Sequence, residues 1–443
     1  MNKRASQRHG PDFAYIPRRV AVQRSLKVIA AAGASLLFAA STATTASASA
    51  NRASGSGPTI TLTEQDYYFV GAGPIHTYLN TLFANFMKLH PNIVIQRTTI
   101  PPSDYFTKVT DEAGANALPD VLMLDNPDLP YFAEYGVLAP LGSLGRTAIS
   151  ALQAPQQSES SFNGTVYAYP LYTNTIALFY NKTMFAAAGL QPPTTWAQLL
   201  TDAKALTTPA HYGIAFSGQT GPGQNVWQFE PFLWSNGGNL TQLTSPQSVQ
   251  ALTLWTDLVQ EKAVSPAVTT WGQVQPENFF ADSKAAMMVN GPWFLSTLNG
   301  VKGLDYGVAE IPVNTPGQNV VPPIGGELWT IPKSSSATEK AAFELLNYMA
   351  SPSVDEQLSL AEGDVPTVKA ALGPWKSKAG AQLQPFLQEL LHGEARTAVL
   401  GTNYPAVETV VGNAIEAALL GKQTPAQAFA AAQKQVQSVI YGS

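Results

Sequence analysis

The chain has no cysteine in 443 residues, which excludes disulfides, thiolate metal sites, a cysteine nucleophile and lipid attachment through an N-terminal cysteine. Charge is also scarce. Only 12% of residues are Asp, Glu, Lys or Arg, so polarity at the surface must come from Ser, Thr, Asn, Gln and Gly. The five histidines, His9, His76, His90, His211 and His392, stand apart with no metal-ligand spacing. No Ser/His nucleophile arrangement, phosphate-cradling glycine loop or tandem repeat is found, and neither a metal nor a cofactor is expected. The longest apolar run falls short of the ~20 residues that span a bilayer.

What is present begins with an address. Arg18, Arg19, Arg24 and Lys27 precede a short apolar run, Val28 to Ala40, and Ala48-Ser49-Ala50 supplies the small residues of a cleavage site. Residues 1–50 read as a secretory signal peptide cleaved near Ala50, with 51–57 as a linker. The product is expected in the periplasm or outside the cell. Arg18-Arg19 leaves open whether export is of the Sec or the twin-arginine kind. Seven of the 25 Lys/Arg and one of the 30 Asp/Glu lie in the first fifty residues, so the remainder carries about −11. That balance does not invite nucleic acid.

The length suggests two lobes. Thr59 to Phe69 alternates as a strand. Ile75, Leu79, Leu82, Phe83 and Phe86 then form one face of a helix opened by Pro74, and Asn92 to Thr98 is a second strand. A helix from Pro102 and a buried strand, Asp120 to Leu124, follow. Asp125 at its end would either project toward a cleft, because open α/β sheets bind ligands beyond the carboxyl ends of their strands, or cap the turn Asn126-Pro127-Asp128. Two strand-like runs between Gly164 and Asn181 break at Pro170. Thr194 or Thr195 caps a helix, Tyr212 to Phe216 is a strand, and Ser245-Pro246 opens a long helix with Val249, Leu252, Trp255 and Val259 inward. Ala285 to Val289 is a buried strand running into Asn290-Gly291-Pro292-Trp293. Tyr306 to Val313 and Glu327 to Ile331 are further strands, and Tyr404 to Leu420 is a helix followed by a capping box at Thr424.

One stretch concentrates possible recognition groups. In FEPFLWSNGGN, residues 229–239, Glu230 is an acceptor, Phe232 and Trp234 offer flat faces, and Gly237-Gly238 permits a sharp turn. Taken alone, such an aromatic cluster reads equally as core. Sugar recognition needs apolar faces for the C–H surface of a pyranose and planar acceptors for its vicinal hydroxyls.

Six pieces in order, GPIHTYLNTLFANFMKLHPNI, ALPDVLMLD, YPLYTNTIALFYNK, FEPFLWSNGG, FFADSKAAMMVNGPW and GGELWTIPKSS, resemble an extracellular solute-binding protein of the sugar ABC-transporter type. The likeness is to the maltose-binding-protein group and spans nearly all of residues 58–440. It implies an α/β fold of two lobes, each a central sheet flanked by helices, with three hinge crossings near Tyr172, Gly326 and Gly363. The lobes would comprise 58–172 with 327–363, and 173–326 with 364–443. A monomer would capture a mono- or oligosaccharide in the interlobe cleft by closure and deliver it to a membrane permease.

By the resemblance, Glu230-Pro231-Phe232 matches an element that holds a glucosyl unit, and Trp293 matches a stacking tryptophan. Asp125 matches the acid after the third strand. Asn174 falls where maltodextrin binders carry an acidic ligand, a departure that turns expectation away from maltodextrin itself. The chain also lacks the charged pair found after their first strand, where Tyr67 or Tyr68 would supply an aromatic. Trp234, Tyr172, Trp329, Glu327 and Tyr404 complete the candidate ligand set. Two alternatives stand beside this one: a binding protein for a polyol, peptide or metal, and a secreted glycoside hydrolase using a pair among Asp125, Glu230 and Glu327.

Overall fold

A computed structural model describes residues 58–67, 74–142 and 154–442. The expected leader (1–50) and linker (51–57) and Tyr68 lie outside the described residues.

Among the described residues, nine strands build the two larger sheets. They are β1 (Ile60–Asp66), β2 (Ile93–Thr99), β3 (Val121–Asp125), β4 (Ala168–Pro170), β5 (Ala177–Asn181), β6 (Tyr212–Ala215), β7 (Ala285–Asn290), β8 (Tyr306–Ala309) and β9 (Glu327–Thr330). The first sheet runs β2-β1-β3-β9-β4, with β1 parallel to both β2 and β3, and β9 antiparallel to β3 and β4. The second runs β8-β5-β7-β6, with only β7 and β6 parallel.

The apolar run VLML in β3 is buried on both faces, as a central strand between helical layers requires. Val121 and Met123 pack with Leu62, Phe83 and Phe86 on one side. Leu122 and Leu124 pack with Tyr105 and Val109 on the other. In the second sheet β7 (AAMMVN) is buried throughout. Met287 and Val289 face the largest core, which the helices Asn225–Ser235, Pro246–Gln260, Tyr404–Leu419 and Pro425–Tyr441 cover.

Local chemistry sets the helix starts as expected. Ser245 caps its helix through the Ser248 N–H, and capping boxes at Thr195 and Thr424 use Gln198 and Gln427. The helix from Asn225 to Ser235 was not legible: it carries Pro231 in its interior, which removes one helical hydrogen bond. Burial of all but one of its residues holds it in place.

Three distant points of the chain lie side by side. Tyr172–Thr173 pairs antiparallel with Val365–Pro366, and Asn174 bridges Gly325. Gly326 there has φ +127°, and a Cβ would sit 2.4 Å from the Tyr172 carbonyl oxygen, so only glycine fits.

Candidate functional site

Asp125 ends β3, and the following turn begins at Asn126. Its carboxylate is taken by Arg396: Nη1 donates to Oδ2 at 3.0 Å, and Nη2 donates to Oδ1 and also to Asn126 Oδ1. Arg396 is placed by the short strand Glu394–Ala395, which pairs with Pro323–Ile324. Its guanidinium carbon stands 4.5 Å from the Trp227 ring centroid and 6.0 Å from that of Tyr404, within cation–π range. The Tyr404 hydroxyl donates to Glu230 Oε1 at 2.8 Å. A continuous seam thus runs from the end of a first-sheet strand to two helices that cover the second sheet.

Asn126 extends the seam by donating to Glu159 Oε1 at 2.7 Å and to the Ile324 carbonyl at 2.9 Å. Glu408 accepts the Gly223 N–H at 2.9 Å. One guanidinium therefore serves a group of carboxyls, and they titrate accordingly. Burial holds Glu230 well above the ordinary carboxyl range, with Arg396 opposing and Glu408 adding to the rise. Burial pushes Glu159 up to about 8 and Glu408 up to about 7, in both cases against the pull of Arg396.

A carboxyl whose folded pKa is raised stabilises the fold fully below its unfolded value. That contribution is lost as pH climbs to the folded value. For Glu408 the window runs from the ordinary glutamate value of 4.5 to about 7. Urea unfolding across it should show stability falling with pH, of which Glu408 contributes at most about 1.4 kcal/mol per unit. Glu408→Gln should reduce the slope by up to that amount, and an unchanged slope in the variant would refute the assignment.

A second polar group lies where Tyr172–Asn174, Gly325–Glu327 and Asp364–Pro366 come together. Glu327 opposes Asp125 in the β9–β3 register and accepts the Tyr67 hydroxyl at 2.7 Å. Burial brings its carboxyl up to about 7. Asn174 donates its amide to Asp364 Oδ2 at 3.0 Å and exchanges backbone hydrogen bonds with Gly325. Tyr172 is buried beside it.

The aromatic candidates separate. Phe232 is 1% exposed and packs edge-on against Trp255 at 5.9 Å inside the largest core. Phe232, expected as a ligand face, sits on the helix Asn225–Ser235, whose period turns this ring inward. Trp329, another expected ligand face, also turns inward. It alternates into the core of the first sheet, fully buried against the edge of Phe83. Trp293 is half-buried in the turn Pro292–Phe294, folded so closely over Gly291 that a Cβ there would meet its ring at 2.0 Å. Trp234 is half-buried and lines a cavity with Arg396.

The sequence reading therefore assembled Asp125, Glu230, Tyr404 and Glu327 without the residue that joins the first three. Arg396 had a signal, since only Arg97, Arg146 and Arg396 occur after residue 57. That rarity is the signal the sequence offered, since a planar guanidinium can pair with a carboxylate bidentately. Trp227 and Asn126 gave none.

Two sheets, each covered by helices, are thus joined by a buried seam of carboxyls, aromatic rings and one guanidinium. The chain belongs to the bacterial extracellular solute-binding protein family, whose model matches residues 81–384. Among curated relatives, the maltotriose-binding protein of Pyrococcus abyssi is 24% identical over 70% of this chain and 68% of its own. The sn-glycerol-3-phosphate-binding periplasmic protein UgpB of Rhizobium meliloti is 26% identical over 59% of this chain and 65% of its own. An ABC-transporter solute-binding protein of Thermotoga lettingae, solved with α-D-tagatose, superposes with a TM-score of 0.77 at 25% identity, over 86% of this chain and 99% of that one. Maltose-bound MalE3 of T. maritima gives 0.76 at 27%, over 85% and 99%. The expected family and periplasmic-binding-protein fold are thus met, and the family and these neighbours are binding proteins. Membership implies export, and no helix among the described residues is long and apolar enough to cross a membrane.

Proposed function

We propose that the chain is the carbohydrate-capturing component of an ABC importer. A sugar enters between a lobe of residues 58–172 with 327–363 and a lobe of 173–326 with 364–443. The lobes close about the crossings near Tyr172, Gly326 and Gly363, and the closed monomer presents the sugar to its permease. Cleavage near Ala50 would release the mature form. The single observation that carries the reading is the seam in which Asp125, Arg396, Tyr404 and Glu230 follow one another across the two halves. Such a line of planar polar groups and ring faces matches the two surfaces of a pyranose.

The charge balance favours an uncharged sugar or polyol over the glycerophosphate named for the UgpB relatives. Arg396 is already matched by Asp125, and Glu159, Glu230 and Glu408 crowd the same field. A phosphate would be repelled there. The chain acts by binding, without turnover.

Isothermal titration against maltose, maltotriose, D-tagatose, ribitol, sn-glycerol-3-phosphate and a peptide pool tests this. At least one carbohydrate should bind one to one and be recovered intact. Binding of only the phosphate or peptides, or release of cleaved sugar, overturns the reading. Trp293→Ala should weaken sugar binding by about 1–3 kcal/mol, as loss of a stacking platform does. An unchanged affinity would leave Trp293 a packing residue.

A further inference from the structure

We propose that Asp364 is a positioning residue for solute binding: it holds the Asn174 carboxamide so that the carbonyl oxygen, beside Trp227, accepts a hydroxyl of the solute. The assignment rests on the carbohydrate reading above, in which Asn174 is a ligand contact.

The two residues flank the same strand pair. Asn174 follows Tyr172–Thr173, and Asp364 precedes Val365–Pro366. Asn174 Nδ2 donates to Asp364 Oδ2 at 3.0 Å, while the Asn174 backbone donates to and accepts from Gly325 at 3.0 and 2.8 Å. Asp364 is fully buried, and its Oδ1 has no partner among the described residues. Its carboxyl therefore serves one side chain, that of Asn174. Burial and then Glu327 push this carboxyl well above its ordinary range, and the Asn174 amide opposes the rise. A proton taken up there sits on Oδ1 and leaves Oδ2 as the acceptor, so the amide is held in both forms.

With its NH2 group committed, Asn174 presents its carbonyl oxygen. That oxygen accepts no hydrogen bond among the described residues and is not enclosed, on a residue 5% exposed. A Cβ on Gly325 would stand 2.2 Å from Asn174 Oδ1 and 2.6 Å from Trp227 Cη2, so the oxygen and the indole edge converge on a point that glycine leaves clear. Trp227 in turn carries the Arg396 guanidinium. The open acceptor thus lies at the end of the seam. A carboxamide free to rotate offers either edge, whereas one pinned from behind offers only the acceptor. Backed by the carboxyls of Asp364 and Glu327, that acceptor suits a neutral hydroxyl and repels a phosphate.

The test uses the full chain carrying nitrogen-15-labelled asparagine, with the Asn174 side-chain amide assigned by its loss in Asn174→Ala. Before any solute is added, its protons should exchange at least tenfold more slowly than those of an exposed asparagine. That protection should persist in Asp364→Asn, which keeps an oxygen in the Oδ2 position, and vanish in Asp364→Ala. Calorimetry with a carbohydrate that binds the parent should then show Asp364→Ala weaker by at least tenfold and Asp364→Asn within about threefold. In the Asn174→Ala background, Asp364→Ala should cause no further loss. Asp364→Leu replaces the alanine variant if the latter does not fold. An Asp364 that only supports the fold would lower affinity equally in both backgrounds or leave it unchanged. Either result overturns the proposal, as does an unprotected Asn174 amide in the parent. If the parent binds only sn-glycerol-3-phosphate or peptides, the sugar reading falls, and the same cycle run with that solute decides the role of Asp364. If it binds none of the panel, both fall.

Discussion

Arg396→Met should lower the unfolding free energy by about 3–5 kcal/mol, measured by urea denaturation with an unchanged m-value. The guanidinium is buried, bidentate to Asp125 and bonded to Asn126, and it also opposes the burial-driven rise in the carboxyl pKa of Glu159, Glu230 and Glu408. Removing it strands Asp125 without its partner. Adding Asp125→Asn to the same chain should recover most of the loss, because a pair absent on both sides leaves no uncompensated charge. The partly open position of Asp125, whose side chain is 29% exposed, places the expected value at the low end of the range. A loss under about 1 kcal/mol, the scale of a surface ion pair, would show that the seam does not bind the two halves together.

Phe232→Ala should cost about 3–5 kcal/mol of stability, the range for emptying a large aromatic from a core. The ring sits among Trp196, Trp255 and the helices that cover the second sheet. Sugar affinity of the folded fraction should stay within about twofold of the parent, a difference well below 1 kcal/mol. The reverse pattern, stability kept and affinity lost, would return Phe232 to the ligand face. The experiment matters because the Glu-Pro-Phe element carried much of the family resemblance, while the structure places only its glutamate on the seam.

Large parts of the architecture were readable without coordinates. The strand, helix and strand beginning at Ile60, the buried run VLMLD, the strand AAMMV and the capped helices at Ser245 and Thr424 all follow from period and cap chemistry. These are local signals, carried by residues within a turn or two of each other. Asp125 was legible for the same reason: a carboxylate at the end of a buried parallel strand has few places to point.

The ring assignments were not readable, since whether an aromatic is core or ligand face depends on what covers it. Phe232 and Trp329 have the composition of a sugar wall and the environment of a core. The Asn225–Ser235 helix hid behind Pro231, a residue that argues against a helix until burial on every side compensates.

By itself, the amino-acid sequence determined most of the order of strands and helices, the net negative charge and the absence of thiol chemistry. Its ordered motifs already pointed to an extracellular solute-binding protein. Only the tertiary structure decided that Arg396, 271 residues from Asp125 along the chain, closes the seam. The physical reason is that a strand or a cap is set by neighbours in sequence, whereas an ion pair in a cleft is set by the docking of two separate sheets, and a lone arginine carries no record of the carboxylate it will meet.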